Sequence, residues 1–179
     1  MKIISGIYKG RNLSGFNIEG TRPTQDRVKE SIFSTIQGYI PDAVVLDLFA
    51  GSGNLGLEAL SNGSKFAYFN DFNKKAVDVI KKNIELLGVK NAKVLGLDYR
   101  KVLSYFKENN ITFDIVFLDP PYKERIIEEV VIYLLENDLL NDGAIVVCEY
   151  EHDFNDDFKG LELIKEKKYG YKYVKVYEK

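Results

Sequence analysis

Cysteine, histidine and methionine each occur once in these 179 residues. A single cysteine excludes a disulfide framework, and Cys148, inside the apolar run from Ala144, reads as a buried, inert thiol. The lone His152 sits in the polar stretch from Glu151 to Asp157, so the reading needs no catalytic histidine and no metal. No apolar run is long enough to span a membrane, and Met1–Gly6 lacks the apolar stretch of a signal peptide. A cytoplasmic protein is therefore expected. Repeats and linkers rich in proline, glycine or serine are also missing. The chain is expected to be one monomeric domain, with an extension over 1–40 and a catalytic sheet over 41–179.

What is present is an ordinary globular composition, 45% apolar and 29% charged, enough to bury a core without staples. The net charge of −2 is awkward for a nucleic-acid partner. It is unevenly spread, because residues 1–30 hold six basic and three acidic side chains. Ile3 to Phe16 alternates around glycines and predicts a small β-hairpin. Thr21-Arg22-Pro23-Thr24 then opens a helix whose Val28, Ile32, Phe33 and Ile36 recur at helical spacing. From residue 44, strands at 44–49, 66–69, 93–97, 113–118 and 144–148 alternate with helices, the last strand introduced by Asn141-Asp142-Gly143. Leu161–Tyr169 and Tyr171–Tyr177 are split only by Gly170, too close for a crossover, so they should pair as a hairpin. This rhythm predicts a doubly wound, Rossmann-like α/β sheet with an antiparallel C-terminal strand, its ligand at the carboxyl ends of the strands.

Gly51-Ser52-Gly53-Asn54-Leu55-Gly56 follows a strand and opens a helix, and Asp71 lies at the end of the next strand. That is a nucleoside-binding pattern, in which glycines let the backbone approach the ligand and the acid holds ribose hydroxyls. Asp47 bears on which nucleoside. A carboxylate there would repel a pyrophosphate but favour the ammonium and sulfonium of S-adenosylmethionine. Phe49 and Phe72 are candidates to line the same pocket. Asp98 is placed to accept from the adenine amino group, with Tyr99 giving a backbone donor; Asp98 would equally cap the following helix.

The apolar strand Phe113–Leu118 runs into Asp119-Pro120-Pro121-Tyr122. Two prolines make a loop whose shape is set before a ligand arrives. An amino group attached to a base ring is a poor nucleophile, because its lone pair is delocalised. The Asp119 carboxylate and Pro120 carbonyl can hold its two N–H groups and aim the lone pair at a methyl donor. Tyr122 offers a ring on which an extruded base stacks, worth roughly 1–3 kcal/mol. Alignment, rather than a strong base, should supply the rate.

Together, Val45–Gly53 and Asp119–Tyr122 look like motifs I and IV of the class I amino-methyltransferases. The segments Ile3–Leu13 and Arg22–Phe33, continued by Leu55–Leu60, are more specific. They resemble the bacterial 16S ribosomal RNA guanine-N2 methyltransferases of the RsmD type. The resemblance implies a seven-stranded sheet, S-adenosylmethionine as donor, and a guanosine of small-subunit RNA, within the assembled subunit, as acceptor. Lys9, Arg11, Arg22, Thr24 and Arg27 become the candidates for RNA contact. Asn73 departs from the acid expected two residues after Asp71. The alternatives are an adenine-N6 methyltransferase of DNA or RNA, and a non-catalytic ribosome-assembly factor on the same fold.

Overall fold

The computed structural model describes residues 1–15, 22–121, 125–151, 154 and 156–179, apart from the side chains of 22–25. Helix α1 (Arg22–Ile36) and a 3-10 turn (Gln37–Tyr39) precede β1 (Val44–Asp47), α2 (Asn54–Ser61), β2 (Phe66–Asn70), α3 (Lys74–Leu87) and β3 (Ala92–Leu95). Then follow α4 (Tyr99–Glu108), β4 (Phe113–Leu118), α5 (Ile126–Glu136), β5 (Leu140–Tyr150), β6 (Glu162–Tyr169) and β7 (Lys172–Glu178). The strands form one seven-stranded sheet in the order β3-β2-β1-β4-β5-β7-β6. All are parallel except β7, which runs antiparallel to both β5 and β6. The doubly wound, mostly parallel sheet expected from the sequence is the one observed. No helix among the described residues is long and apolar enough to cross a membrane.

The central strands are apolar at nearly every position because both faces are covered. Val45, Ile115, Phe117, Ile145 and Val147 enter one core with α1, α2 and α3. Leu46, Val116, Leu118, Val146 and Cys148 enter the other, with α4 and α5. The helices present matching stripes, Val28, Ile32 and Ile36 on α1 and Val130 and Leu134 on α5, at the spacing of one helical face.

One local expectation is refined and another corrected. The N-terminal hairpin is present but short: one antiparallel bridge, Lys2 to Asn12, is flanked by amide bonds from Ile3 to Arg11, Gly10 to Ile3 and Leu13 to Met1, and Phe16 lies outside the described residues. Its other amides are taken by α2: Ile4 and Ser5 donate to the Glu58 carboxylate, and Ile7 and Tyr8 donate to Ser61. A side chain at Gly6 would fall 1.9 Å from the Ser61 carbonyl oxygen, so only glycine allows that approach. Asn141-Asp142-Gly143 is not a turn before β5 but an irregularity inside it. The register slips between Phe113–Leu140 and Ile115–Ile145, with Gly143 at φ 74° and the Asn141 side chain bound to Asp114.

Candidate active site at the carboxyl edge

Side chains on a strand alternate between faces. Continuing Val45, Ile115–Phe117 and Ile145–Val147 by one period along parallel strands therefore reaches Asp47, Asp119 and Glu149. All three fall on one face at the carboxyl ends of β1, β4 and β5. Because β7 runs the other way, its first residue, Lys172, arrives at the same edge, on the face shared by Val174 and Val176. The Lys172 ammonium lies 3.6 Å from Asp119 Oδ1 and 3.4 Å from Glu149 Oε2. Pro120 and Pro121 follow at the rim, the second exposed. Tyr122 lies outside the described residues.

Asp47 is buried and accepts the Gly56 amide at 2.9 Å, which anchors the start of α2. Burial nevertheless pushes its carboxyl up to about 7; the Gly56 bond pulls it back, and Asp119 and Asp71 push it further. Glu149 is raised for the same leading reason, then by Asp119, with Lys172 opposing. Asp119 is also raised by desolvation and lowered chiefly by Lys172, and 40% of its side chain remains open to solvent. Among the described residues, Asp119 and Glu149 share the Lys172 ammonium and Asp47 lies close enough to act on Glu149, so carboxyls outnumber cations at this edge. It suits a cationic ligand and repels a phosphate.

The glycine loop is tied to β2 rather than standing free. Asp71 accepts the Gly51 amide through Oδ2, 2.9 Å away, and the Asn73 amide through Oδ1. Both oxygens keep a further lone pair for a hydroxyl. Gly51 and Gly53 have φ of 55° and 79°, and a side chain at Gly51 would meet nothing within 4 Å, so ligand can approach the backbone there. Ser52 is placed differently from expectation. Its side chain is buried against Met1, so it faces the N-terminal segment instead of the loop's open side. Phe72 is 80% exposed beside Asp71. Phe49 and Tyr99 pack ring to ring at 5.7 Å, and the Tyr99 hydroxyl is fixed by Glu129. Asp98 does cap α4, accepting the Arg100 amide at 3.0 Å. Asn73, the departure from the expected acid, caps α3.

The basic candidates separate in space. Arg11 donates to the Leu86 carbonyl near the end of α3, and the turn carrying Lys9 is fastened to the end of α2. Both helices run back from the carboxyl edge, so Lys9 and Arg11 sit at the far end of the sheet. Exposed Arg27 lies on the first half of α1, whose Lys29 reaches Asn54 beside the glycine loop. The side chains of Arg22 and Thr24 lie outside the described residues. A shallow cavity of about 400 Å³ between Gly160 and Lys179 is also at the far end and has no part in the site. Sequence reasoning missed Glu149 and Lys172; the signal for both was the strand alternation, given the direction of β7.

The family model described as "Conserved hypothetical protein 95" matches residues 1–178. The chain belongs to that family. Its relatives include Haemophilus influenzae ribosomal RNA small subunit methyltransferase D, 39% identical over 86% of this chain and 80% of that protein. The Bacillus subtilis protein YlbH, provisionally named an rRNA methyltransferase, is 37% identical over 100% of this chain and 99% of its own length. Among solved structures, the Escherichia coli protein yhhF superposes with a TM-score of 0.88 at 32% identity, covering 100% of this chain and 97% of that one. Membership bears out the RsmD-type resemblance of the N-terminal segments and of Asp119–Tyr122.

Proposed function

We propose that this family member transfers a methyl group from S-adenosylmethionine to the exocyclic amine of a guanosine in 16S ribosomal RNA, within the cytoplasmic small subunit. The observation that carries it is the pairing of Asp47 and Asp119 on adjacent strand ends, one buried and with no ion pair among the described residues, the other half-open on a double-proline loop. The relatives' names support ribosomal RNA as the substrate class.

Bound S-adenosylmethionine would supply an electrophilic methyl on a sulfonium. Asp47 would face its positive charge, Asp71 its ribose, and the backbone at Gly51 and Gly53 would let it approach. The Asp119 carboxylate and the Pro120 carbonyl would accept the two amine N–H groups, turning the lone pair toward the methyl. The donor would supply its methyl by in-line displacement and leave as the neutral thioether. The methylated nitrogen, now cationic and acidic, then loses a proton to Asp119 or water. Pre-positioning would be the chain's main contribution, with Asp119 or water taking the proton afterwards, so no histidine is required.

Labelled-methyl transfer decides the reading, with small subunits, naked 16S RNA and DNA offered in parallel and the product nucleoside analysed. N2-methylguanosine on subunits, reduced at least about 100-fold in Asp119→Ala, is the expected result. Methyladenine on any substrate would overturn it. Subunit binding without transfer would identify an assembly factor instead.

A further inference from the structure

We infer that the Glu149–Lys172 pair reads the base beside the reacting amine and selects guanine. This rests on the proposed function, since it takes Asp119 as the group that holds the amine. Glu149 and Lys172 come from different strands, β5 and β7, yet their charged ends meet 3.4 Å apart and next to Asp119. Their side chains are only 10% and 16% exposed, so the pair is held in place by packing instead of moving freely in solvent.

The chemistry of the bases gives the pair its meaning. On guanine the edge beside the 2-amino group continues with the N1–H donor and then the O6 acceptor. Glu149 can accept N1–H, and the Lys172 ammonium, which bridges Glu149 and Asp119 in the ligand-free chain, can turn to donate to O6. Adenine and cytosine place a ring-nitrogen lone pair next to their amines. Guanine's N1–H favours the ionised form of Glu149 against the burial that raises its carboxyl, whereas a ring lone pair would repel that form after the base has been flipped and desolvated. Sites built to hydrogen-bond a group reject analogues lacking it far more strongly than sites that only match shape. Lys172 also lies 3.6 Å from Asp119 and pulls down a carboxyl that burial raises, so it couples reading to reaction.

The test replaces the mapped target guanosine in reconstituted subunits with 2-aminopurine. That base keeps the 2-amino group but has neither N1–H nor O6. Wild-type enzyme is expected to lose at least about 100-fold in kcat/KM on 2-aminopurine. Lys172→Met and Glu149→Ala should bring the guanine-to-2-aminopurine ratio to within about 10-fold, mainly by losing activity on guanine. Lys172→Arg, which keeps a donor, should retain most of the discrimination. Equal wild-type rates on the two bases would overturn the inference even if every variant failed to fold. So would variants that slow both bases by one factor, which would make the pair a support for Asp119 alone. If wild-type enzyme makes no N2-methylguanosine on natural subunits, the proposed function itself has failed, an outcome distinct from either of these.

Discussion

A methyl group added at Gly56 would lie 2.3 Å from the ring of Phe69, which is fully buried beneath α2. The third glycine of the loop is thus a packing requirement, setting how closely α2 approaches β2. Its amide also holds Asp47, so displacement of the helix would reach the donor site. Gly56→Ala is expected to cost about 1–3 kcal/mol in urea unfolding and to weaken S-adenosylhomocysteine binding in titration calorimetry. Gly38→Ala, with open space and no helical packing to disturb, should stay within about 0.5 kcal/mol. An unaltered Gly56→Ala would mean that α2 can shift freely. The glycines, Asp47, Asp71 and Asp119 were legible in the sequence because each belongs to a short motif whose spacing carries a mechanism. Glu149 and Lys172 belong to no motif. Each is one charged residue in an otherwise strand-like run, and only the pairing of β5 with β7 brings them beside Asp119.

At the scale of elements, the alternating units were legible to within a residue or two except at the start of β5, four residues earlier than expected, since buried parallel strands are unbroken apolar runs. The first fifteen residues were legible only in part, because their short hairpin is completed by tertiary partners. Their glycines and alternation suit a hairpin, and Glu58 on α2 offers a further set of partners. Its carboxylate accepts from the amides of Ile4 and Ser5 and from the Ser5 hydroxyl, and it pairs with Lys29 of α1 at 2.8 Å. Glu58 and Lys29 are 0% and 1% exposed, so one carboxylate fastens the N-terminal segment, α1 and α2 together. Removing it strands a buried ammonium and two amides. Glu58→Ala should therefore cost about 3–5 kcal/mol, well above the effect of an exposed acid such as Glu30→Ala. Chemical denaturation checks this, and a loss below 1 kcal/mol would show that water enters to replace the carboxylate. The same fastening explains why Lys9 and Arg11 end up remote from Asp119. Any RNA they touch is some distance from the methylated base, which suits a substrate as large as a ribosomal particle.

For the molecule as a whole, the acid edge makes folding and donor binding opposing demands. The Asp47 carboxyl, ordinarily near 3.8, stands at about 7 in the fold, and burial moves Glu149 and Asp119 in the same direction. Between those two values the folded chain keeps a proton that the unfolded chain has shed. Raising the pH through that window therefore costs stability, with no penalty below about pH 4 and the full penalty above about pH 7. Asp156 and Glu129 act oppositely. Lys175 and Arg100 hold them below the ordinary carboxylate range, so their contribution is lost only in acid. The ligand-free protein should accordingly melt higher at pH 5.5 than at pH 8, by on the order of 5 °C for a chain of this size. The charged form of Asp47 that weakens the empty fold is the form that attracts a sulfonium and an ammonium. S-adenosylmethionine should thus raise the melting temperature more at pH 8 than at pH 5.5, and bind with uptake of fewer protons than it releases. Asp47→Asn should flatten the pH profile of the ligand-free protein and lower donor affinity at pH 8 at least about 10-fold, an interaction of about 1.4 kcal/mol or more. A ligand-free protein that instead gains stability from pH 5.5 to 8, or an Asn variant with the wild-type slope, would show that the Asp47 charge is neutralised within the fold and is not what recognises the donor.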